Sequence, residues 1–310
     1  MVIELLQGAG FFLMALTRTL PQLLASRIVL GVMGASSTVA FILAGRGPNV
    51  RREVSWIQSA MTVGQVVGPL VGAMAASQIG FRPSFALGGL ILWSCSLMFW
   101  LGVPDRPPVA AQESQRRRAN WREIGTVALV VLAGSMQIFF LPAILPQILP
   151  PLGVPKDRTL QVGGVVLFVT GLASATGAML APRIAEIRNE RRIVPWLVAA
   201  SSVLVAALGL APDAWSFSVL RFVQVLVVAP VFPIVVGAVA ARASGEAIGF
   251  INSARISASF LGPIIATTLV ASFAPALAFL SIAAVGLGLV PIVLQDRGRK
   301  PPPTAPSSAT

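Results

Sequence analysis

The side chains that carry most enzyme chemistry are scarce in this chain. It contains no histidine and a single cysteine, Cys95, so imidazole catalysis, histidine-based metal sites, thiolate zinc sites and an internal disulfide are excluded. No nucleophile, base and acid converge at a recognisable spacing. The sequence therefore predicts that the protein is not an enzyme and that it uses no metal or cofactor.

The charged side chains with the most unusual positions are three arginines inside apolar stretches: Arg27, Arg221 and Arg255. If those stretches cross a membrane, each guanidinium costs at least about 2.5 kcal/mol and needs a polar partner or a watery cavity. Arg27 is the strongest functional candidate, although either Arg27 or Arg221 could instead extend to the outer interface. Arg255 lies nearer the end of its stretch and is predicted to be interfacial.

These arginines require membrane helices to position them. Hydrophobic residues make up 55% of the 310 residues and charged residues only 11%, whereas soluble proteins carry about 25% charged residues. A helix needs roughly 20 apolar residues to span the hydrocarbon core, and ten stretches qualify. They lie near 2–17, 20–44, 55–78, 83–103, 123–149, 160–182, 193–211, 215–240, 248–273 and 276–295.

The net charge of +12 indicates topology rather than a nucleic-acid partner. Sixteen of the 23 lysines and arginines lie on one alternating set of connections and at the C-terminal end, four lie on the other connections, and three lie inside helices. Because cytoplasmic loops retain Lys and Arg, we expect both termini to be cytoplasmic, with the helices in a bacterial inner membrane.

The two halves of the chain match each other at a shift of 194 residues. The matching features are Arg27 with Arg221, Gly68-Pro69 with Gly262-Pro263, and the run from Trp56 to Ala60 with the run from Phe250 to Ala254. Their joint register predicts two pseudo-symmetric helix bundles, as in many transporters.

At this shift the first half has no counterpart of residues 123–192, which hold two of the predicted helices. A complete pair of repeats predicts a chain of roughly 380 residues. We favour the interpretation that the first two helices are absent because the start has been lost or placed too late. The alternative is a genuine ten-helix protein.

Two motifs resemble those of the major facilitator superfamily. The stretch from Arg27 to Ala35, with Gly31 as its first glycine, resembles the Arg-x-x-x-Gly motif of the fourth helix. The stretch from Gly64 to Ala73 resembles the Gly-x-x-x-Gly-Pro-x-x-Gly-Gly antiporter motif of the fifth helix, with Ala73 in place of the last glycine. The resemblance covers the whole chain and implies helices three to twelve of the twelve-helix drug and proton antiporter branch. It also implies that Arg27, and Arg221 by repeat, act in gating or proton coupling.

The antiporter-like motif also has a physical content of its own. Gly64, Gly68 and Gly72 recur every four residues, so they line one helix face and allow a neighbouring helix to approach closely. Pro69 removes a backbone hydrogen bond and bends the helix. We expect this face, with Gly262 and Pro263 as its repeat, to be a seal or hinge between the bundles. The alternative is ordinary small-residue packing.

A charged loop supplies a further resemblance. Residues 177–192 resemble a degenerate form of the family's cytoplasmic Gly-x-x-x-Asp-Arg-x-Gly-Arg-Arg loop, with Glu186 at the Asp position and Asn189 at the Gly position. This implies a cytoplasmic latch formed by Glu186, Arg191 and Arg192, in which the carboxylate pairs with an arginine or caps a helix.

Substrate contacts are predicted at polar or aromatic residues inside apolar helices: Gln137, Phe140, Gln224 and Asn252. Packing in the core or against lipid is the alternative for Phe140, and hydrogen bonding between helices is the alternative for the amides. None of the eleven acidic residues falls at mid-membrane. Either the carboxylate that couples transport to protons lies outside this sequence, or transport is not proton-driven.

Together these features predict an all-α polytopic membrane protein with the major facilitator fold. The predicted domains are an N-terminal bundle of four helices (1–103), a cytoplasmic linker (104–122), a C-terminal bundle of six helices (123–295) and a disordered cytoplasmic tail (296–310). The predicted function is export of small lipophilic or amphipathic, drug-like compounds by a monomer through alternating access. The alternatives are a truncated, non-transporting remnant and a facilitator of metabolite uptake.

Overall fold

A computed structural model describes residues 2–32, 36–44, 50–102, 121–187, 190–240 and 245–295. These residues are almost entirely helical. A helix is what a bilayer requires of an apolar segment, because it satisfies each backbone N–H and C=O within the segment itself. The tail at 296–310 and all but the last two residues of the predicted linker lie outside the described residues.

The described residues form thirteen α-helices and two short 3-10 turns. The first half holds α1 (Val2–Leu16), α2 (Leu20–Val32), α3 (Ser36–Ala44), α4 (Val50–Ile79) and α5 (Phe81–Gly102). The second half holds α6 (Trp121–Phe139), α7 (Leu141–Ile148), α8 (Thr159–Ile187), α9 (Glu190–Leu208), α10 (Ala214–Val228), α11 (Val231–Ala240), α12 (Gly245–Ser272) and α13 (Pro275–Gln295), with the 3-10 turns at Pro150–Leu152 and Lys156–Arg158. Each of the ten predicted stretches coincides with one helix or with a consecutive pair, and the all-α prediction is confirmed.

Several of these helices are suited to a membrane. Within the described residues, four helical stretches are long and apolar enough to cross a bilayer: Trp121–Ile148, Gln161–Ile187, Ala214–Val239 and Glu246–Ser272. Large apolar side chains such as Phe168, Trp196 and Phe260 point outward from this half and are exposed. A lipid environment covers such side chains, whereas water would penalise them.

Two of the spanning stretches are interrupted at prolines, and a glycine from another helix lies against each interruption. The chain leaves regular helix at Phe140, between α6 and α7, and at Ala229-Pro230, between α10 and α11. A Cβ added at Gly177 of α8 would lie 2.8 Å from the Leu226 carbonyl oxygen, and one added at Gly262 of α12 would lie 3.3 Å from the Met136 carbonyl oxygen. Only glycine allows the helices to approach this closely without displacing either backbone.

The two halves of the chain meet mainly through α4, which packs against α8 and α11, while α3 packs against α12. One buried apolar cluster combines both halves, with Phe41 and Val54 packed among residues such as Ile124, Val131 and Phe232. A second cluster, around Phe140, Phe217 and Phe279, contains residues of the second half alone. The described core therefore joins the halves at one end of the helices.

The turn between α9 and α10 is fixed by a capping box at Asp213. The Asp213 carboxylate accepts hydrogen bonds from the backbone N–H groups of Trp215 (2.8 Å) and Ser216 (2.9 Å). These bonds satisfy donors that the first helical turn leaves without partners. Because the N–H of Ser216, and secondarily that of Trp215, stabilises the charged form, the pKa of Asp213 lies below its usual value of 3.8.

We expect this cap to make stability depend on pH in a defined direction. A carboxylate whose pKa is lowered by folding contributes stability above its unfolded pKa and loses it as the pH falls through the folded pKa. Asp213→Ala should therefore lower the melting temperature of the purified protein at pH 7, and the difference from wild type should shrink below pH 3.8. Asp213→Asn keeps an accepting oxygen and should show no such pH dependence. Equal melting curves for the wild type and Asp213→Ala at pH 7 would contradict this account.

Candidate functional site

Arg221 is the most deeply buried charge among the described residues. Its side chain, on α10, is fully buried and donates to three oxygens: the Gln137 carbonyl (2.7 Å), the Ile138 carbonyl (2.8 Å) and the Gln224 side-chain oxygen (2.5 Å). All three acceptors are neutral, and no described carboxylate forms an ion pair with it. The polar partner that a buried arginine needs is therefore supplied here by carbonyl oxygens.

The backbone acceptors of Arg221 are available because of the break between α6 and α7. Pro142 has no N–H, so it cannot donate to Ile138 four residues earlier as an ordinary helical residue would. Arg221 supplies the missing donor to Ile138 from the neighbouring helix, and a second one to Gln137. In a bilayer an unsatisfied carbonyl costs several kcal/mol, so the arginine and the break stabilise each other.

A polar cluster continues from Arg221 into α9. The Gln137 side-chain oxygen accepts from Ser201 (2.6 Å) and from Gln224 (3.3 Å), and its amide nitrogen donates to Ser202 (2.8 Å). All four side chains are fully buried. Because each amide group finds a partner, the cluster links α6, α9 and α10 through buried hydrogen bonds.

Apolar and backbone surfaces enclose this cluster. The Phe140 ring lies 5.5 Å from the Arg221 guanidinium carbon, a cation–π distance, and packs edge-on against Phe279. On α13, Gly286 lies directly over the pair formed by Ser202 and Gln137, because a Cβ there would overlap the Ser202 hydroxyl and lie 2.5 Å from Gln137 Nε2. Sequence reasoning missed Gly286, since nothing in its immediate neighbourhood distinguishes it from Gly288.

Gly286→Ala should therefore destabilise the protein by about 1–3 kcal/mol, the usual cost of overpacking a closely packed site or of breaking a buried hydrogen bond. The matched control is Gly288→Ala on the same helix, where an added Cβ meets nothing within 4 Å. The control should be neutral or slightly stabilising, because alanine is the better helix former. Melting temperatures in detergent measure both variants, and equal melting temperatures would refute the assigned role of Gly286.

The first-half counterparts of these residues lie in a different environment. Arg27, on α2, is exposed and forms no hydrogen bond or ion pair with the described residues. Gly31 likewise meets nothing described within 4 Å. At the shift of 194 residues, the counterpart of α6 would fall outside the given sequence. The role of Arg27 in gating or coupling stays a prediction.

The described helices do not make the expected close approach at the glycine face of α4, which stays a prediction. A Cβ added at Gly64, Gly68 or Gly72 would meet no described atom within 4 Å, and the Pro69 side chain lies outside the described structure. In contrast, Gly262, the repeat of Gly68, packs against α6 and the break at Phe140. It lies on α12, next to Pro263. The spacing of the glycines leaves one face of α4 without side chains. Close packing also requires a neighbouring helix on that face.

The predicted cytoplasmic latch is only partly described. Glu186 and Arg192 are both exposed and form no ion pair in the described part of the chain. Asn189 and the Arg191 side chain lie outside it. The latch therefore stays a prediction.

A narrow cleft lies between the two halves, with a cavity volume of about 20 Å³, which is room for one water molecule. It is bordered by α4 on one side and by α6, α8, α10, α11 and α12 on the other. Its lining is mostly apolar, with the rings of Phe139 and Phe232. The polar lining residues are Gln58, Ser135, Ser174 and Arg255. Ligand sites typically combine apolar walls with a few polar groups, as this lining does.

None of the four residues predicted to contact substrate lies on this cleft. Gln137 and Gln224 bond to each other in the polar cluster, and Phe140 packs under Arg221. Asn252 is buried and accepts a hydrogen bond from Arg255 (3.1 Å). The Arg255 side chain is 5% exposed and therefore packed among the helices, and its predicted interfacial depth in the membrane stays a prediction.

The repeat carries a signal that could have identified Gln58. At the shift of 194 residues, Gln58 matches Asn252, which sequence reasoning did select. Ser135 and Ser174 carry no comparable signal, because serines are common in membrane helices and orientation toward the cleft depends on packing. None of the described carboxylate side chains is buried among the helices.

Comparison with solved structures identifies the fold. The fold matches the human organic anion transporter MFSD10 (TETRAN) with a TM-score of 0.72 at 17% identity, covering 94% of this chain and 75% of that one. It matches the Escherichia coli fucose:proton symporter FucP with a TM-score of 0.69 at 12% identity, covering 96% and 82%. At these identities the likeness shows the fold alone.

Sequence comparison gives the family. The Major Facilitator Superfamily profile matches residues 1–255, and the chain belongs to this superfamily. It is 26% identical over 225 residues to the multidrug resistance protein MdtG of Serratia proteamaculans, covering 68% of this chain and 54% of that protein. It is 23% identical over 274 residues to the uncharacterized MFS-type transporter YuxJ of Bacillus subtilis, covering 83% and 69%. The chain thus spans about half the length of the MdtG protein that it matches.

Proposed function

We propose that this transporter exports small lipophilic or amphipathic compounds from the bacterial cytoplasm by alternating access. The cleft between the two halves is the observation that carries the proposal: it is bordered by helices of both halves and lined by aromatic and apolar side chains with few polar groups. Such walls provide affinity for apolar compounds without demanding one defined shape. The similarity to MdtG, a multidrug resistance protein, is consistent with this substrate range.

We further propose that the apolar cluster joining the halves lies on the cytoplasmic side of an inner membrane. The basic residues before α4 and around the start of α6 belong to the connections assigned to the cytoplasm. Val54 and Ile124, near the starts of those helices, are members of this cluster. The described conformation would then be closed toward the cytoplasm, which in an exporter is the state that follows loading.

Export is tested in a bacterial strain that lacks its own multidrug exporters. Cells producing the full chain should accumulate less of the neutral lipophilic dye N-phenyl-1-naphthylamine than cells carrying an empty vector. Ser174→Phe should raise accumulation toward the vector level, because Ser174 lines the cleft and a ring there fills it. Leu172→Phe is the control, since Leu172 is an exposed apolar residue on the same helix.

Three results would contradict this proposal. Equal accumulation in producing and vector cells would favour a non-transporting remnant. Greater accumulation in producing cells would favour uptake. Equal loss of export in both phenylalanine variants would show that the loss in Ser174→Phe does not result from filling the cleft. Immunodetection in the membrane fraction establishes that each variant is inserted.

The glycine face of α4 is proposed to act in another state of the cycle. Gly68→Leu should leave the melting temperature unchanged, because the described position is open, yet it should reduce dye export if another helix must close on this face. Gly262→Leu should lower the melting temperature, because Gly262 already contacts the backbone at Phe140. If Gly68→Leu left export intact, the face would have no part in closure. Arg27→Ala tests gating by Arg27 in the same assay.

A further inference from the structure

Arg255 combines deep burial with guanidinium nitrogens that have no oxygen partner among the described residues. Its Nε donates to the Asn252 side-chain oxygen, whereas its two terminal nitrogens donate to no described group. The guanidinium carbon lies 5.1 Å from the Phe232 ring and 6.0 Å from the Phe41 ring. Aromatic faces stabilise a cation, but they leave its outward N–H donors available.

Arg255 lines the cleft, so a ligand in the cleft would lie next to this guanidinium. It is the sole charged residue among the described lining residues, so no carboxylate there balances its charge. A buried cation is strongly stabilised by an anion that can accept two hydrogen bonds, such as a carboxylate or a sulfonate. An organic cation entering the same cleft would be repelled.

The opposite wall supplies a second polar contact. Gln58 of α4 lines the cleft, and its side-chain oxygen is buried without a hydrogen-bond partner in the described structure. A desolvated acceptor of this kind favours a ligand that carries a hydroxyl or N–H group. Phe139 and Phe232 line the cleft with aromatic surface that suits a flat apolar body.

From these groups we infer that the cleft binds amphipathic organic anions, with Arg255 holding the anionic group and Gln58 accepting a hydrogen bond from the ligand. This inference rests on the proposed export function and specifies its substrate class. A purely structural Arg255, held by its two aromatic rings, would confer no preference between an anion and a neutral compound of the same shape. Ligand charge therefore separates the two roles.

The test uses two dyes with the same ring system. 1-Anilinonaphthalene-8-sulfonate carries a sulfonate, and N-phenyl-1-naphthylamine lacks it. Both are titrated by fluorescence against the full chain in phosphatidylcholine nanodiscs, with protein-free nanodiscs subtracted. Wild type should bind the sulfonate at least about tenfold more tightly than the amine, the factor that one charge-assisted pair supplies. Equal affinities would overturn the inference.

Substitutions test which side chains produce the preference for the sulfonate dye. Arg255→Gln should weaken sulfonate binding about tenfold and leave binding of the neutral amine unchanged. Arg183→Gln, which makes the same change at an exposed position, should affect neither dye. Gln58→Leu should weaken both dyes by a similar, smaller factor, because both carry the anilino N–H. An unchanged sulfonate affinity in Arg255→Gln would remove the proposed role of Arg255.

A competition in the wild-type protein needs no substitution and so does not depend on how the variants fold. Naphthalene-2-carboxylate should displace the bound sulfonate dye, and 2-naphthylmethylammonium, with a matching ring system and opposite charge, should not. Displacement by both compounds would overturn the inference. If the neutral dye is exported, and it binds as tightly as the anionic dye, the inference about anions is wrong but the proposed export function stands. If neither dye is bound or exported, the proposed function is also wrong.

Discussion

The second half of this protein is organised around the hydrogen bonds that Arg221 donates to the carbonyl oxygens of Gln137 and Ile138. A proline-interrupted helix inside a bilayer has carbonyls that no water can satisfy, and a buried guanidinium has donors that need acceptors. Each would be unfavourable alone. Placed together, they allow α6 to bend before Pro142 and fix α10 against the bend. Gln224 and Phe140 also contact the cation, whose Nε is buried without a hydrogen-bond partner in the described structure.

Glycines determine how closely the other helices approach these bends. Gly262 brings α12 against the break at Phe140, and Gly177 brings α8 against the break at Pro230. Gly286 places α13 over the polar cluster. The same motif in the first half, around Gly68, lies open in the described structure. One motif thus occurs in two packing states within one chain, which is the kind of difference that alternating access exploits between its conformations.

The polar cluster and the cleft are separate sites connected through shared helices. On α6, Gln137 faces the cluster, whereas Ser135 and Phe139 line the cleft. On α12, Gly262 packs at the break and Arg255 reaches the cleft about two turns away. Movement of α12 along α6 would change both sites together. The hydrogen bonds of Arg221 therefore stabilise the scaffold, whereas Arg255, which lines the cleft, is the arginine that we propose meets a ligand.

The sequence by itself determined the helices, because apolar length and internal hydrogen bonding leave a membrane segment few alternatives. It also determined the register of the repeat, which pairs Arg27 with Arg221 and Gln58 with Asn252. Tertiary structure decided what each polar side chain meets: Gln137 and Gln224 bond to each other, Arg255 is buried, and Arg27 is exposed. The reason is that helical periodicity sets which residues share a face, whereas the neighbour that covers the face depends on the packing of distant segments.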